Sequence, residues 1–125
     1  MYQESLDFKQ HIHLLGVSYV SNFLDRVGFT ILEVNTDQNH HYQLLAKINE
    51  KSFLIAIRTA HRPKLGTLDT STLEKLRRES EKLNATPHFA GLTVVPVDGN
   101  DPEIDGSSEG QMLKVIFSGI CAIRT

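Results

Sequence analysis

The chain has 125 residues, 40% hydrophobic and 22% charged, which suits one globular domain over 1–125 and excludes disordered, collagenous and coiled-coil classes. No apolar run approaches the ~20 residues of a membrane span. The opening MYQESLDFKQHIH places no basic segment before an apolar one, so no membrane association and a cytoplasmic location are expected. The formal net charge of −2 argues against a general nucleic-acid coat.

Between Leu6 and Val27 apolar residues recur at helical spacing, with Leu14, Val17, Val20, Leu24 and Val27 as one stripe widened by Tyr19 and Phe23. Gly28 follows and suits a left-handed position closing the helix. Phe29–Val34 is rich in β-branched and apolar residues and is predicted as a strand, with Asn35–His40 a polar turn. Tyr42, Leu44, Ala46 and Ile48 alternate with Gln43, Leu45 and Lys47, giving a second strand. The turn 49–52 then leads into Phe53–Arg58, apolar on both faces as in the middle of a covered sheet.

After the Pro- and Gly-containing loop His61–Asp69, the spacing Ser71-Thr72-Leu73-Glu74 matches a capping box. A helix over about 72–84 is expected, with Leu73, Leu76 and Leu83 inward and Lys75, Arg78, Glu79 and Lys82 outward. Phe89–Val95 is a further strand, 98–110 an acidic loop, and Met112–Ile123 a last strand interrupted at Gly119. Helix, strand, hairpin, helix, strand, strand implies an α/β domain. A mixed sheet of about five strands, with a central hairpin, is flanked by helices in three layers.

Charge is unevenly placed. Arg58, Arg62, Lys64, Lys75, Arg77 and Arg78 face only Asp69 and Glu74 between 58 and 78, whereas 98–110 carries five acids and no Lys or Arg. Such a split steers a polyanion to one side, or is two solvated surface segments.

Several phrases resemble the restriction-endonuclease-like (PD-(D/E)XK) superfamily over roughly residues 10–97. Gly28-Phe29-Thr30-Ile31-Leu32 after a helix is similar to its opening GY-x-I-L element. Gln43-Leu44-Leu45-Ala46 followed by Phe53-Leu54-Ile55-Ala56-Ile57-Arg58-Thr59 is similar to its hairpin, usually D-x-x-A and an apolar strand ending E-x-K. The resemblance implies that fold, and a divalent cation held by the Asp and Glu with the Lys organising the attacking water and phosphate charge. Here those positions are Gln43, Ala56 and Arg58. Gln43 offers a weak neutral oxygen, Ala56 nothing, and Arg58 a guanidinium that holds phosphate but cannot serve as a base.

If Glu50-Lys51 forms a two-residue loop, Gln43 pairs with Arg58 and Leu45 with Ala56, and all four share one face. The expectation is a degenerate site without catalytic residues, metal or cofactor, in a module that binds nucleic acid or assembles as a homodimer. Arg58, Arg62, Lys64, Lys75 and Arg78 are the candidate phosphate contacts. One alternative is a Mg²⁺-dependent nuclease with a displaced carboxylate, Glu33 or Asp37. Another is a protein-interaction module using the acidic loop, with no nucleic-acid role.

Other constellations give less. His11 and His13 face different ways on a helix, and His40-His41 complete no zinc spacing, so surface histidines are expected. Asp101–Gly106 glances at a calcium loop but has Met112 where an EF-hand needs Glu. Phe117-Ser118-Gly119 is no nucleophile elbow. The lone Cys121 precludes an intramolecular disulfide and is expected to be an inert core residue.

Overall fold

The structure, a computed structural model, describes residues 6–62, 64, 66–96 and 113–123. Pro63, the acidic stretch 98–110 and Met112 lie outside the described residues. The elements run α1 (Leu6–Arg26), β1 (Thr30–Val34), β2 (Leu44–Ile48), β3 (Lys51–His61), α2 (Thr70–Lys82), β4 (Thr86–Pro96), β5 (Leu113–Phe117) and β6 (Cys121–Ala122). No described helix is long and apolar enough to cross a membrane.

The strands form one mixed α/β sheet in the order β1-β2-β3-β4-β5, with β6 also pairing β4. All neighbours are antiparallel except β3 and β4. That parallel pair requires a crossover, which α2 supplies. β5 and β6 lie along one edge of β4, separated by a bend where Gly119 takes φ +114°, so the expected interruption falls there.

Each sheet face is covered by one helix. On one side Val17, Val20 and Leu24 of α1 pack on Leu44, Ala46, Ile55, Ile57, Ala90 and Leu92. On the other, Leu76 of α2 packs with Tyr42, Leu54 and Ala56. Burying each Val, Leu or Ile side chain among these contributes roughly 1.5–3 kcal/mol. Leu54, Ile55, Ala56 and Ile57 are all fully buried, the signature of a strand covered on both faces.

The helix termini follow local chemistry. Gly28 (φ +102°) closes α1 in a Schellman motif, with Phe29 N donating to Leu24 O at 2.9 Å and Gly28 N to Asp25 O at 3.2 Å. Asn84 (φ 53°) does the same for α2, where Ala85 N donates to Ser80 O at 2.8 Å. At the start of α2 the cap is Asp69, whose Oδ1 accepts the Thr72 amide at 2.8 Å, two residues ahead of the expected Ser71. A carboxylate accepts that bond more strongly than a hydroxyl and favours the helix dipole. The Thr72 hydrogen bonds hold the Asp69 carboxyl below the usual carboxylate range.

Three core expectations change. Leu14 and Val27 are 41% and 50% exposed, and Phe8 and Ile12 are buried instead, against Val94. α1 buries the row 8-12-16-20-24, and Leu14 lies about 200° round the helix from Ile12. Leu83, expected inward, is the exposed C-cap of α2. Cys121, expected in the core, is exposed because β6 is a two-residue strand on the sheet edge.

The hairpin register also shifts. Asn49 (φ 48°) and Glu50 (φ 68°) form the two-residue loop and Ile48 pairs Lys51, so Leu45 faces Leu54 and not Ala56. Two positive φ values are those of a type I′ turn, whose twist suits a hairpin and which Asn enters readily. The slip is two residues on β3, so the paired strand residues keep their expected faces, whereas Tyr42, expected beside Leu44, lies ahead of β2 and packs on the α2 side.

Candidate functional site

β3 outruns its partner. β2 pairs it only from Lys51 to Ile55, leaving the next backbone groups of β3 to be satisfied by something other than a strand. Gln43, fully buried immediately before β2, supplies that partner. Its amide N donates to Ile55 O at 2.9 Å, and its side-chain Oε1 accepts the Ile57 amide at 2.6 Å. A side-chain carbonyl thus continues the ladder where backbone stops.

The other half of the Gln43 amide closes the preceding turn. Nε2 donates to Asp37 O at 3.2 Å and to His40 O at 2.9 Å. Arg58 completes the network. Its Nη1 donates to Gln43 Oε1 at 3.0 Å and to Ile57 O at 2.9 Å, and its Nη2 to His40 O at 3.2 Å. Gln43 and Arg58 therefore meet as expected, but through a folded-back guanidinium and not as a cross-strand pair. Both donors and both acceptor directions of the Gln43 amide are used. Burial lowers the Arg58 pKa while the Asp69 charge opposes the shift.

Ala56 is fully buried in the cluster of Tyr42, Leu54 and Leu76. Glu33, on edge strand β1, accepts the Tyr42 hydroxyl at 2.8 Å. Burial first, then that bond and the neighbouring Glu33 charge, push the Tyr42 pKa up to about 12. Asp37 accepts the Asn39 amide at 2.9 Å, while its own amide donates to Asn35 Oδ1 at 3.0 Å. Glu33 and Asp37 thus serve different partners. Among the described residues, no three His, Cys, Asp or Glu side chains converge to hold a metal ion.

The cations stand on two supports. Arg62 and Lys64 are exposed in the loop after β3, which is tied to β4 through Arg62 N to Val94 O (3.0 Å) and Thr93 Oγ1 to Lys64 O (3.3 Å). Lys75 and Arg78 are exposed on α2. Arg78 Nε lies 3.5 Å from Glu74 and Arg77 Nη1 3.9 Å from the same carboxylate, exposed helix pairs of the kind worth a few tenths of a kcal/mol. Asp69 feels the charges of both Arg58 and Lys75.

The histidines depart most from expectation. Only His11 of the six is exposed; His13 and His88 are buried, and His40, His41 and His61 are partly covered. His40 and His41 stack at 4.4 Å beside Tyr42. His41 Nε2 lies 3.6 Å from Glu79, and burial followed by the His40 charge lowers its pKa against the pull of Glu79. His88 stacks on Phe53 at 4.3 Å, and burial lowers its pKa too. The signal for His13 was present: it sits four residues before Val17 on the buried side of α1.

On the α2 side of β4, an apolar groove of 220 Å³ is bounded by Phe89, Gly91, Ile116 and Cys121. It is smaller than the ~300–1,000 Å³ of ordinary ligand pockets.

A family model described as a domain of unknown function, DUF8840, matches residues 10–123. No curated protein matches the chain. Among solved structures the chain is similar to Hjc, a Holliday junction resolvase from the archaeal hyperthermophile Archaeoglobus fulgidus. The two are 16% identical, with a TM-score of 0.46, and the match covers 62% of this chain and 65% of the resolvase chain.

Proposed function

The chain belongs to the DUF8840 family, and from that premise we propose a non-catalytic module of nuclease-like fold, a degenerate member of the restriction-endonuclease-like superfamily. It holds a nucleic-acid backbone through Arg62, Lys64, Lys75 and Arg78. The Gln43 amide is the observation that carries the non-catalytic half of this reading. At the position where the resembled family has a metal-binding Asp, both ends of this side chain are occupied in joining β3 to the 37–43 turn. Ala56 supports the same reading, since the matching Glu position is sealed beneath Leu76.

Arg58 spends its guanidinium on Gln43 and on two backbone carbonyls, which makes it a brace of the fold. The exposed cations of α2 and of the loop after β3 have no such duty in the backbone, and forked guanidiniums and ammonium groups suit phosphate oxygens.

Fluorescence anisotropy with labelled duplex and single-stranded oligonucleotides, across a salt series, tests the binding half. The expected result is affinity that falls linearly with log salt, with a shallower slope in Lys75→Ala/Arg78→Ala and in Arg62→Ala/Lys64→Ala. Absence of binding at low salt rejects nucleic-acid binding and leaves protein interaction, for which deletion within 98–110 is the next variant. Incubation with Mg²⁺ or Mn²⁺ tests the other half: cleavage that disappears in Glu33→Ala overturns the non-catalytic assignment. Sedimentation of the same samples reads the homodimer.

A further inference from the structure

α1 approaches β3 closely enough at Gly16 that a Cβ there would collide with Thr59 Oγ1. One turn earlier on the helix, this approach carries His13 into the interior, where it is 4% exposed. The imidazole is hydrogen-bonded to the Thr36 backbone, at the start of the segment that Gln43 closes. Its Nε2 is buried and has no hydrogen-bond partner among the described residues. We infer that His13 is a proton-sensitive latch, holding the 35–43 segment against α1 while the imidazole is neutral and releasing it on protonation.

The surroundings decide the direction. An imidazolium must place a proton on both ring nitrogens, and at Nε2 that proton would be buried with no acceptor. Two charged groups act on the ring. Arg58 on β3 opposes protonation, and Asp37 in the segment itself favours it. Burial is the largest influence and acts with Arg58, so the His13 pKa lies below the ordinary histidine value despite Thr36 and Asp37. A released segment exposes the ring to water and restores the ordinary value of ~6.5. The released form therefore binds more protons than the docked form. Docking is at full strength above that ordinary value and weakens as pH falls below it, until the lower docked pKa is reached. The change reaches the Gln43–Arg58 network because Asp37 O and His40 O, two of its acceptors, belong to the moving segment.

Hydrogen exchange on the full chain tests this. The Gln43 amide, bonded to Ile55 O, and the Ile57 amide, bonded to Gln43 Oε1, report the seam between the segment and β3. Their protection factors, corrected for intrinsic rate, are expected to fall by up to about tenfold between pH 7.5 and pH 5.5. The fall should vanish in His13→Gln and persist in His41→Gln and His88→Gln, whose imidazoles also carry lowered pKa values. Protection independent of pH in the native chain, or an unchanged fall in His13→Gln, overturns the latch. Should His13→Gln not fold, NMR titration of the native His13 ring decides alone. A midpoint below the ordinary value that coincides with the loss of protection supports the latch, and an ordinary midpoint with a static segment overturns it.

Discussion

The Gln43 side-chain oxygen accepts the Ile57 amide at 2.6 Å, so a side chain extends the sheet ladder one step past the end of β2. Gln43→Ala removes that acceptor, leaves the Ile57 N–H without its partner, and takes one of two hydrogen bonds from each of the Asp37 and His40 carbonyls and from Arg58 Nη1. Orphaned buried groups cost about 1–3 kcal/mol each before water reaches them. A loss of about 2–4 kcal/mol is expected, a large share of a typical domain's stability. Urea unfolding measures it, and a loss under 1 kcal/mol would show that the network is incidental to the fold.

Ala56 gives the complementary test, because the resembled family's Glu would have to stand there. It packs with Tyr42, Leu54 and Leu76, side chains that carry no charge to compensate a carboxylate. Ala56→Glu is expected to cost about 3–5 kcal/mol, the range seen when a buried charge is left unpaired. In Gln43→Asp/Ala56→Glu, added Mg²⁺ should not raise the thermal midpoint. A Mg²⁺-dependent rise, by the linkage of binding to stability, would mean that the face can still assemble a metal site.

Period-two alternation predicts Leu45 and Ala56 on one face, and parity keeps them together on the α2 side through a two-residue slip, whereas Tyr42 departs from the alternation because β2 begins only at Leu44. The slip lay in the turn, where Asn49-Glu50 competes with Glu50-Lys51 and only backbone dihedrals separate them. The Arg58 fold-back was invisible for another reason: its acceptors are backbone carbonyls, which no residue type announces. Cys121 was misplaced because an apolar run does not reveal that its strand ends after two residues on an edge. His13 was missed by pairing it with His11 instead of asking which row of α1 is buried.

The turn itself yields a stabilising substitution. Glu50 sits at φ 68°, where a side chain with a Cβ costs about 1–2 kcal/mol that glycine avoids. Glycine returns part of this gain by widening the unfolded ensemble, about 0.4–1 kcal/mol. The Lys47–Glu50 pair that would be lost is 3.6 Å long and almost fully exposed on the Glu side, so it offsets little. Glu50→Gly should therefore stabilise the fold by about 0.5–1 kcal/mol in urea unfolding, with an unchanged m-value. Destabilisation would mean that the Asn49-Glu50 loop is not the turn adopted.

Tyr42 supplies a signature at the opposite end of the pH scale from His13. Its hydroxyl donates to Glu33 from within the α2-side core, and its pKa is pushed up to about 12 by burial first and by Glu33 second. A raised pKa means that the folded state favours the neutral phenol. This contribution is complete below the unfolded value near 10 and is lost as pH rises through about 12. Ultraviolet titration of the folded chain should accordingly show Tyr42 still protonated at pH 11, and Glu33→Gln should move its ionisation part of the way back. Ionisation of all three tyrosines by pH 11 in a chain still folded by circular dichroism would contradict the Tyr42–Glu33 contact, and with it the placement of Glu33 on a structural partner.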